Sequence, residues 1–316
     1  MPGSPYHRLR EALVKTAIKA APGPLARFNN ARLGSPRRVY HGGGGIGDDL
    51  LCTTVFRELK KRGEPRIVVR SGYRSLFQNN PDVDVVIRKK IPVIAPLAIH
   101  GLNLLQLTYY VPLTEHVLAS MCRTAGVSGE VALRPYFFLR PDEVTAGRLF
   151  ERQIVIQSAG LGSTRPMKNK EWYPERFQEV ANRLQGKASL IQLGSLLDPP
   201  LKGVLDLRGN SFRETAAILS NSLVFIGLEG FFMHLARAVE CRSVIVYGGR
   251  VKPLLLGYIA NKNLVGATPC SPCWEENKCD YDRECMKIIS VEAVVNAAIE
   301  QIERHGSVLE TEMANL

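Results

Sequence analysis

Short apolar runs ending in glycine or another small residue recur along the chain, and each gives way to a stretch with helical spacing. Val39-Tyr40-His41 runs into a glycine-rich turn, Gly42 to Gly47, followed by an amphipathic pattern from Leu50 to Lys61. Apolar runs return at Arg66 to Arg70 and Val83 to Ile87. The rhythm restarts at Gln153 to Gln157, which passes into Ser158-Ala159-Gly160-Leu161-Gly162-Ser163. Pro174 to Leu184 predicts a helix with proline in its first turn. Ser189 to Gly194, a helical run from Phe212 to Ser220, Leu223 to Gly227, a helix near Phe232 to Val239, and Ser243 to Gly248 complete the series. Apolar runs this short predict buried parallel strands alternating with helices. The chain therefore reads as two α/β halves joined near Arg140 to Arg152. Ligands of such folds bind beyond the carboxyl ends of the strands, so a site is expected between the halves.

Composition agrees. With 316 residues, 45% of them hydrophobic and 22% charged, the chain can bury two ordinary cores and is neither disordered, collagenous nor a coiled coil. The net charge of +11 is unevenly placed. Residues 1–40 carry eight cations against the single acid Glu11, so +7 lies there and only +4 on the remaining 276 residues. The expected divisions are a basic N-terminal helical arm over 1–38, a first half over 39–145, a second over 150–305, and a tail over 306–316. The arm offers little besides Tyr6 and Phe28 for stacking, so no nucleic-acid partner is expected. Leu9, Ala12, Leu13, Ala17 and Ala20 fall at helical spacing opposite Arg8, Lys15 and Lys19. That pattern suits either an anionic membrane surface or a plain solvated helix.

The first twenty residues lack a continuous apolar run, so no signal peptide is expected. Residues 91–113 carry no Asp, Glu, Lys or Arg, but Pro92, Pro96, Pro112, His100, Asn103 and Gln106 interrupt them. A buried or lipid-facing segment is expected there rather than a span. The expected location is cytoplasmic, with docking on the inner face of the inner membrane.

Two segments carry candidate chemistry. Gly42 to Gly47 satisfies G-x-G-x-x-G, but the acid expected some twenty residues on is missing, and the next strand ends at Arg70. An arginine there suits a 2′-phosphate, which keeps an NAD(P)-dependent oxidoreductase open. Asp48 and Asp49 stand at the helix start, where they either cap it or present an ionised general base. Farther on, Lys170 precedes a helix N-terminus after a Gly/Ser-rich loop, either as a phosphate ligand or as a solvated lysine.

The segment Lys170-Glu171-Trp172-Tyr173-Pro174-Glu175-Arg176-Phe177, with Gly47-Asp48-Asp49-Leu50-Leu51-Cys52-Thr53-Thr54 upstream, resembles glycosyltransferase family 9, the lipopolysaccharide heptosyltransferases. Asn79 to Asp84, Asp206 to Asn210 and Gly227 to Leu235 resemble further elements of that family, so the likeness spans about residues 39–303. It implies the GT-B fold, with two Rossmann-like doubly wound domains facing across a cleft. It also implies an inverting glycosyltransferase that needs no metal for catalysis. Asp48 would take the acceptor's proton, and Lys170 would contact the donor phosphates. Gly45, Gly47 and Asp49 would line the acceptor side. Ser163 and Thr164 would meet phosphate, and Gly194 and Ser195 the nucleoside. Glu229, Gly230 and the N-terminus of the following helix would hold the pyrophosphate and sugar, and His234 in that apolar helix is either a substrate contact or a satisfied semi-buried histidine. The implied partners are an ADP-heptose-like nucleotide sugar and a lipid-linked or polysaccharide acceptor.

The chain departs from the family at Glu229, where aspartate is usual, at Phe231, where glycine is common, and at Asp49, where an apolar residue is usual. A non-catalytic nucleotide-sugar-binding protein is the rival these departures suggest. Cys270, Cys273, Cys279 and Cys285 crowd into 16 residues, the loop 270–285. Four clustered thiols suit a structural zinc or iron, free thiols or labile disulfides. A similar Cys-rich loop recurs in the resembled family. Cys52, Cys122 and Cys241 read as packing residues.

Overall fold

The structure is a computed structural model, and it describes residues 5–89, 95–109 and 111–314. Residues 91–94 and 110 of the uncharged stretch lie outside them. Two helices lead the chain, α1 (Pro5–Ala20) and α2 (Pro22–Arg32). The first half holds β1 (Val39–His41), α3 (Ile46–Lys61), β2 (Val68–Ser71), β3 (Val85–Arg88), α4 (Ala95–Ile99), β4 (Leu104–Gln106) and α5 (Val117–Thr124). Its four strands form one parallel sheet in the order β3-β2-β1-β4. The short α6 (Pro141–Ala146) leads on to β5 (Gln153–Ile156), α7 (Pro174–Leu184), β6 (Ser189–Gln192), β7 (Leu205–Asp206) and α8 (Phe212–Ser220). There follow β8 (Val224–Leu228), α9 (Phe231–Ala238), β9 (Ser243–Val246), α10 (Pro253–Leu256), β10 (Asn261–Leu264), α11 (Glu284–Lys287) and α12 (Val291–Ala314). The second sheet is also parallel, in the order β10-β9-β8-β5-β6-β7.

Strands β5, β8 and β9 are buried along their whole length, as their apolar runs require. One apolar core runs through both halves, from Tyr40, Leu50 and Phe56 to Phe225, Met233 and Tyr247. A second core lies under α7 and α12. The uncharged stretch supplies β4, which pairs with β1. Among the described residues no helix is long and apolar enough to cross a membrane.

The basic leader does not stand wholly apart from the body. Asn29 of α2 is buried and donates its side-chain amide to the carbonyls of Leu97 and His100. Arg32 bonds the carbonyl of Ala98, and Leu33 is buried against Val39 and Val68. In α1 the docked residues are Val14, which is buried, and Ile18, which is half-buried, one turn apart. The Leu9 and Leu13 stripe points outward, at 60% and 61% exposure.

Among the described residues the halves meet in several contacts, including the Arg134–Glu240 ion pair and the following. His116, the cap of α5, accepts from Leu118 N–H at Nδ1 and donates from Nε2 to the carbonyl of Gly257 at 2.9 Å. Arg213 of α8 forks onto Glu143 of α6 with two bonds of 2.5 Å and also reaches the carbonyls of Ser75 and Phe138. Tyr73, Phe212 and Phe231 form an edge-to-face aromatic file.

Candidate functional site

The loop after β1 folds back over its own acids. Helix α3 starts at Ile46, inside the glycine-rich stretch and four residues before its amphipathic pattern becomes visible. Gly45 is its N-cap, and the Gly45 N–H donates to Asp48 Oδ2 at 3.2 Å. A β carbon on Gly42 would stand 2.4 Å from Asp49 Oδ1, and one on Gly43 would stand 2.6 Å from Asp48 Oδ2. The glycines therefore make room for the two carboxylates. That accounts for the pattern without a dinucleotide.

Asp48 and Asp49 part company here. Asp49, expected to contact substrate, is instead buried at 3% exposure, where Ser71 Oγ donates to it at 2.5 Å. It ties α3 to the end of β2. Asp48 is half-buried, and Tyr109 Oη donates to its Oδ1 at 3.5 Å. Burial pushes the Asp48 carboxyl above its usual range, while the Gly45 amide, Tyr109, Lys170 and Lys89 hold it back. A carboxylate raised in this way is a better proton acceptor near neutral pH. Tyr109 belongs to the uncharged stretch, where nothing in the sequence marked it.

The second half brings its groups to the same place from the carboxyl ends of its strands. Glu229 follows β8, Gly230 caps α9 with φ +153, and Lys170 closes a single 3-10 turn before α7. A side chain at position 230 would strain that backbone. Lys170 Nζ stands 2.6 Å from Glu229 Oε2. Burial, the largest influence on Glu229, raises its carboxyl, yet Lys170 and Arg250 together bring it below the usual range. Gly47 meets this side of the site directly: a β carbon there would lie 3.9 Å from His234 Cδ2 and 4.0 Å from the Phe231 α carbon. Phe231, one of the departures from the resembled family, packs edge-to-face on Phe212 with ring centroids 5.3 Å apart.

His234 is 5% exposed, and its Nδ1 lies 2.6 Å from Tyr258 Oη. Burial brings the imidazole down to about 4, so it is neutral at pH 7. It packs beneath Gly47 and fixes how α3 meets α9.

Ser163 and Thr164 are exposed on the loop after β5. Two carboxylates that the sequence did not single out order that loop. Glu171 accepts from Gly160 N–H at 3.0 Å, and Asp198 accepts from Leu161 N–H and Ser195 N–H, both at 2.9 Å. Burial, with Asp198 as a like charge, pushes Glu171 up to about 7. Gly194 has φ +143, and a β carbon there would stand 2.4 Å from Asp198 Oδ2. Ser195 packs on Gly162. Ser163 and Thr164 thus lie on the loop after β5 and Gly194 and Ser195 on the loop after β6, at the carboxyl ends of neighbouring strands.

Cys270, Cys273, Cys279 and Cys285 are free thiols around one cavity of about 280 Å³, which Arg250 also lines. Among the described residues no three His, Cys, Asp or Glu groups gather closely enough to hold a metal ion. Cys52, Cys122 and Cys241 are buried packing residues.

Two parallel sheets with interleaved helices and a site at their strand ends define an α/β fold similar to that of the GT-B glycosyltransferases. Among the solved structures it resembles are family 9 glycosyltransferases and ADP-heptose lipopolysaccharide heptosyltransferases. A family 9 glycosyltransferase from Veillonella parvula superposes with a TM-score of 0.65 at 14% identity, over 84% of this chain and 97% of that one. ADP-heptose lipopolysaccharide heptosyltransferase II of E. coli gives 0.64 at 12% identity, over 85% and 99%. The iron-containing dodecameric glycosyltransferase TibC of enterotoxigenic E. coli gives 0.65 at 17% identity, over 85% and 77%; as a heptosyltransferase it has also been crystallised with ADP-D-beta-D-heptose. At these identities the likeness is one of fold. No family model and no curated protein matches the sequence.

Proposed function

We propose that the chain is an inverting, metal-independent glycosyltransferase. In this reading it moves heptose or a related sugar from a nucleotide-sugar donor to a lipopolysaccharide or other cell-envelope glycan acceptor. The observation that carries the reading is the meeting of a raised carboxylate, Asp48, from one half with the Lys170 and Glu229 pair from the other. The GT-B-like fold and the ADP-heptose complex of TibC support the donor class.

The acceptor hydroxyl oxygen attacks the anomeric carbon of the donor, across a cleft between the halves. Its proton passes to Asp48, which Tyr109 orients. The bond from anomeric carbon to diphosphate oxygen breaks, and its electron pair leaves with the diphosphate. Lys170 and the N-terminus of α9 stabilise the charge that develops there. A single displacement inverts the anomeric centre.

The same reading takes the four-thiol loop as a structural zinc or iron site outside the reaction. Thiolates suit either metal, and all four thiols border one cavity. Elemental analysis of the purified protein, with thiol counts before and after chelation, tests it. The reading also takes the protein to work at the cytoplasmic membrane face, with the outward Leu9 and Leu13 among cations meeting anionic lipid.

A thermal-shift screen with ADP-, GDP-, UDP-, CMP- and dTDP-sugars and NAD(P)H tests the donor site. A ligand at 100 times its dissociation constant stabilises by ~2.7 kcal/mol. One nucleotide sugar should shift the wild type but not Lys170→Ala. A shift with NAD(P)H alone, or with nothing, defeats the reading.

A further inference from the structure

We propose that Arg250 binds the donor's diphosphate and supplies the positive charge that Glu229 withdraws from Lys170. The proposal rests on the transferase reading above. Arg250 is 7% exposed, and its Nε has no hydrogen-bond partner. Among the described residues its guanidinium makes no hydrogen bond or ion pair, only a contact with the Trp274 ring at 6.0 Å from the centroid. A buried cation left this way is costly unless a ligand completes it.

Its place points to which ligand. Strands β8 and β9 are parallel neighbours with Leu228 opposite Val246. Glu229 and Arg250 therefore leave adjacent strands at the same edge of the sheet. The field of Arg250 reaches Glu229 on one side and Tyr109, the partner of Asp48, on the other. The cation thus lies within electrostatic reach of both a donor-side and an acceptor-side group. Lys170 is already matched by Glu229 at 2.6 Å, so the pair brings no net charge to a dianionic leaving group. A guanidinium fork fits phosphate oxygens bidentately.

The residue is also held in place. Trp274 N–H donates to the Arg250 carbonyl at 3.0 Å, and Cys273 N–H to the Gly249 carbonyl at 3.3 Å. A β carbon on Gly249 would stand 2.0 Å from Ser271 Oγ and 2.9 Å from Cys285 Cβ. The Cys-rich loop therefore grips the backbone that presents Arg250.

The test is calorimetric binding of ADP, GDP, UDP, CDP and dTDP and of their nucleosides to the full chain. Wild type, Arg250→Gln, Arg250→Lys and Lys170→Gln are compared. For the base that binds, Arg250→Gln should lose roughly 10- to 100-fold in diphosphate affinity while its nucleoside affinity stays unchanged. Arg250→Lys should lose less, and it carries the test if the glutamine variant does not fold. If Arg250→Gln and Arg250→Lys both keep the wild-type preference for diphosphate over nucleoside while Lys170→Gln loses it, this proposal fails and the transferase reading stands. If no nucleotide binds the wild type, both fail. If Arg250→Gln loses bound metal and keeps its diphosphate affinity, the cation serves the thiol loop and the proposal is overturned.

Discussion

Lys170 and Glu229 form an ion pair at 2.6 Å, with side-chain exposures of 20% and 6%, between the turn before α7 and the end of β8. The glutamate is one methylene longer than the aspartate usual in the resembled family. Lys170→Ala leaves a buried carboxylate unmatched, a change that typically costs about 3 kcal/mol or more. Adding Glu229→Gln should return most of that stability and none of the transfer activity. Thermal melts and assays of both single variants and the double measure the coupling directly. Additive melts would mean that the pair does not interact in solution.

Asp48→Asn should lower kcat about 100-fold or more, as removal of a positioned general base does. The donor KM should stay within a few-fold, because Asp48 is assigned to the acceptor. Burial already disfavours the Asp48 charge, so the variant should melt no lower than the wild type. A variant that keeps its kcat removes Asp48 from the mechanism.

Glu171 and His234 pull stability in opposite directions with pH. The folded pKa of Glu171 is raised to about 7, so its contribution is whole below about 4.5 and fades as pH rises through 7. The folded pKa of His234 is lowered to about 4, so its contribution is whole above about 6.5 and fades as pH falls toward 4. Between pH 4.5 and 6.5 the two slopes oppose each other. Relative to wild type, Glu171→Gln should make stability rise more steeply with pH there, and His234→Asn should make it fall. Melting temperatures across that window read both signs, and parallel profiles for all three proteins would refute the assignment.

Much of this was legible in the chain. The central strands announce themselves because both faces are buried, so β5, β8 and β9 appear as unbroken apolar runs. Strands β4, β7 and β10 do not, because each sits at a sheet edge, β4 and β7 largely exposed and β10 only partly buried. Their Leu-Leu-Gln, Leu-Asp and Asn-Lys-Asn-Leu carry no such signal. Asp48 and Lys170 stood out because a glycine-rich turn and a Gly/Ser-rich loop precede them, and Glu229 only through the resemblance of its segment. Tyr109, Asp198 and Arg250 did not, since tertiary contacts alone bring them to the site. Asp49 was misplaced because adjacent residues on a helix point about 100° apart, and the sequence does not say which one faces inward.

Arg213 should prove a keystone of the join between halves. It is 9% exposed, forks onto Glu143 and caps two carbonyls of the first half. Glu143 is held down to about 2, through the Arg213 hydrogen bonds first. Its contribution is therefore whole above about 4.5 and is lost as pH falls toward 2. Arg213→Met should cost about 3 kcal/mol in a denaturant titration at pH 7. Much of that cost should vanish near pH 2, where the carboxylate is half protonated and needs no partner.

The outward stripe of α1 sets a separate test. Deleting 1–38 would also remove Asn29 and Leu33, which the body uses for packing, so loss of function would not isolate the lipid contact. Leu9→Asp with Leu13→Asp changes only exposed positions and should leave the melting temperature within a degree or two. It should cut binding to vesicles containing anionic lipid, because it removes the apolar anchor and adds two like charges facing the surface. Wild type should sediment with anionic vesicles and release as salt rises. Equal sedimentation of wild type and variant would show that α1 does not dock on lipid.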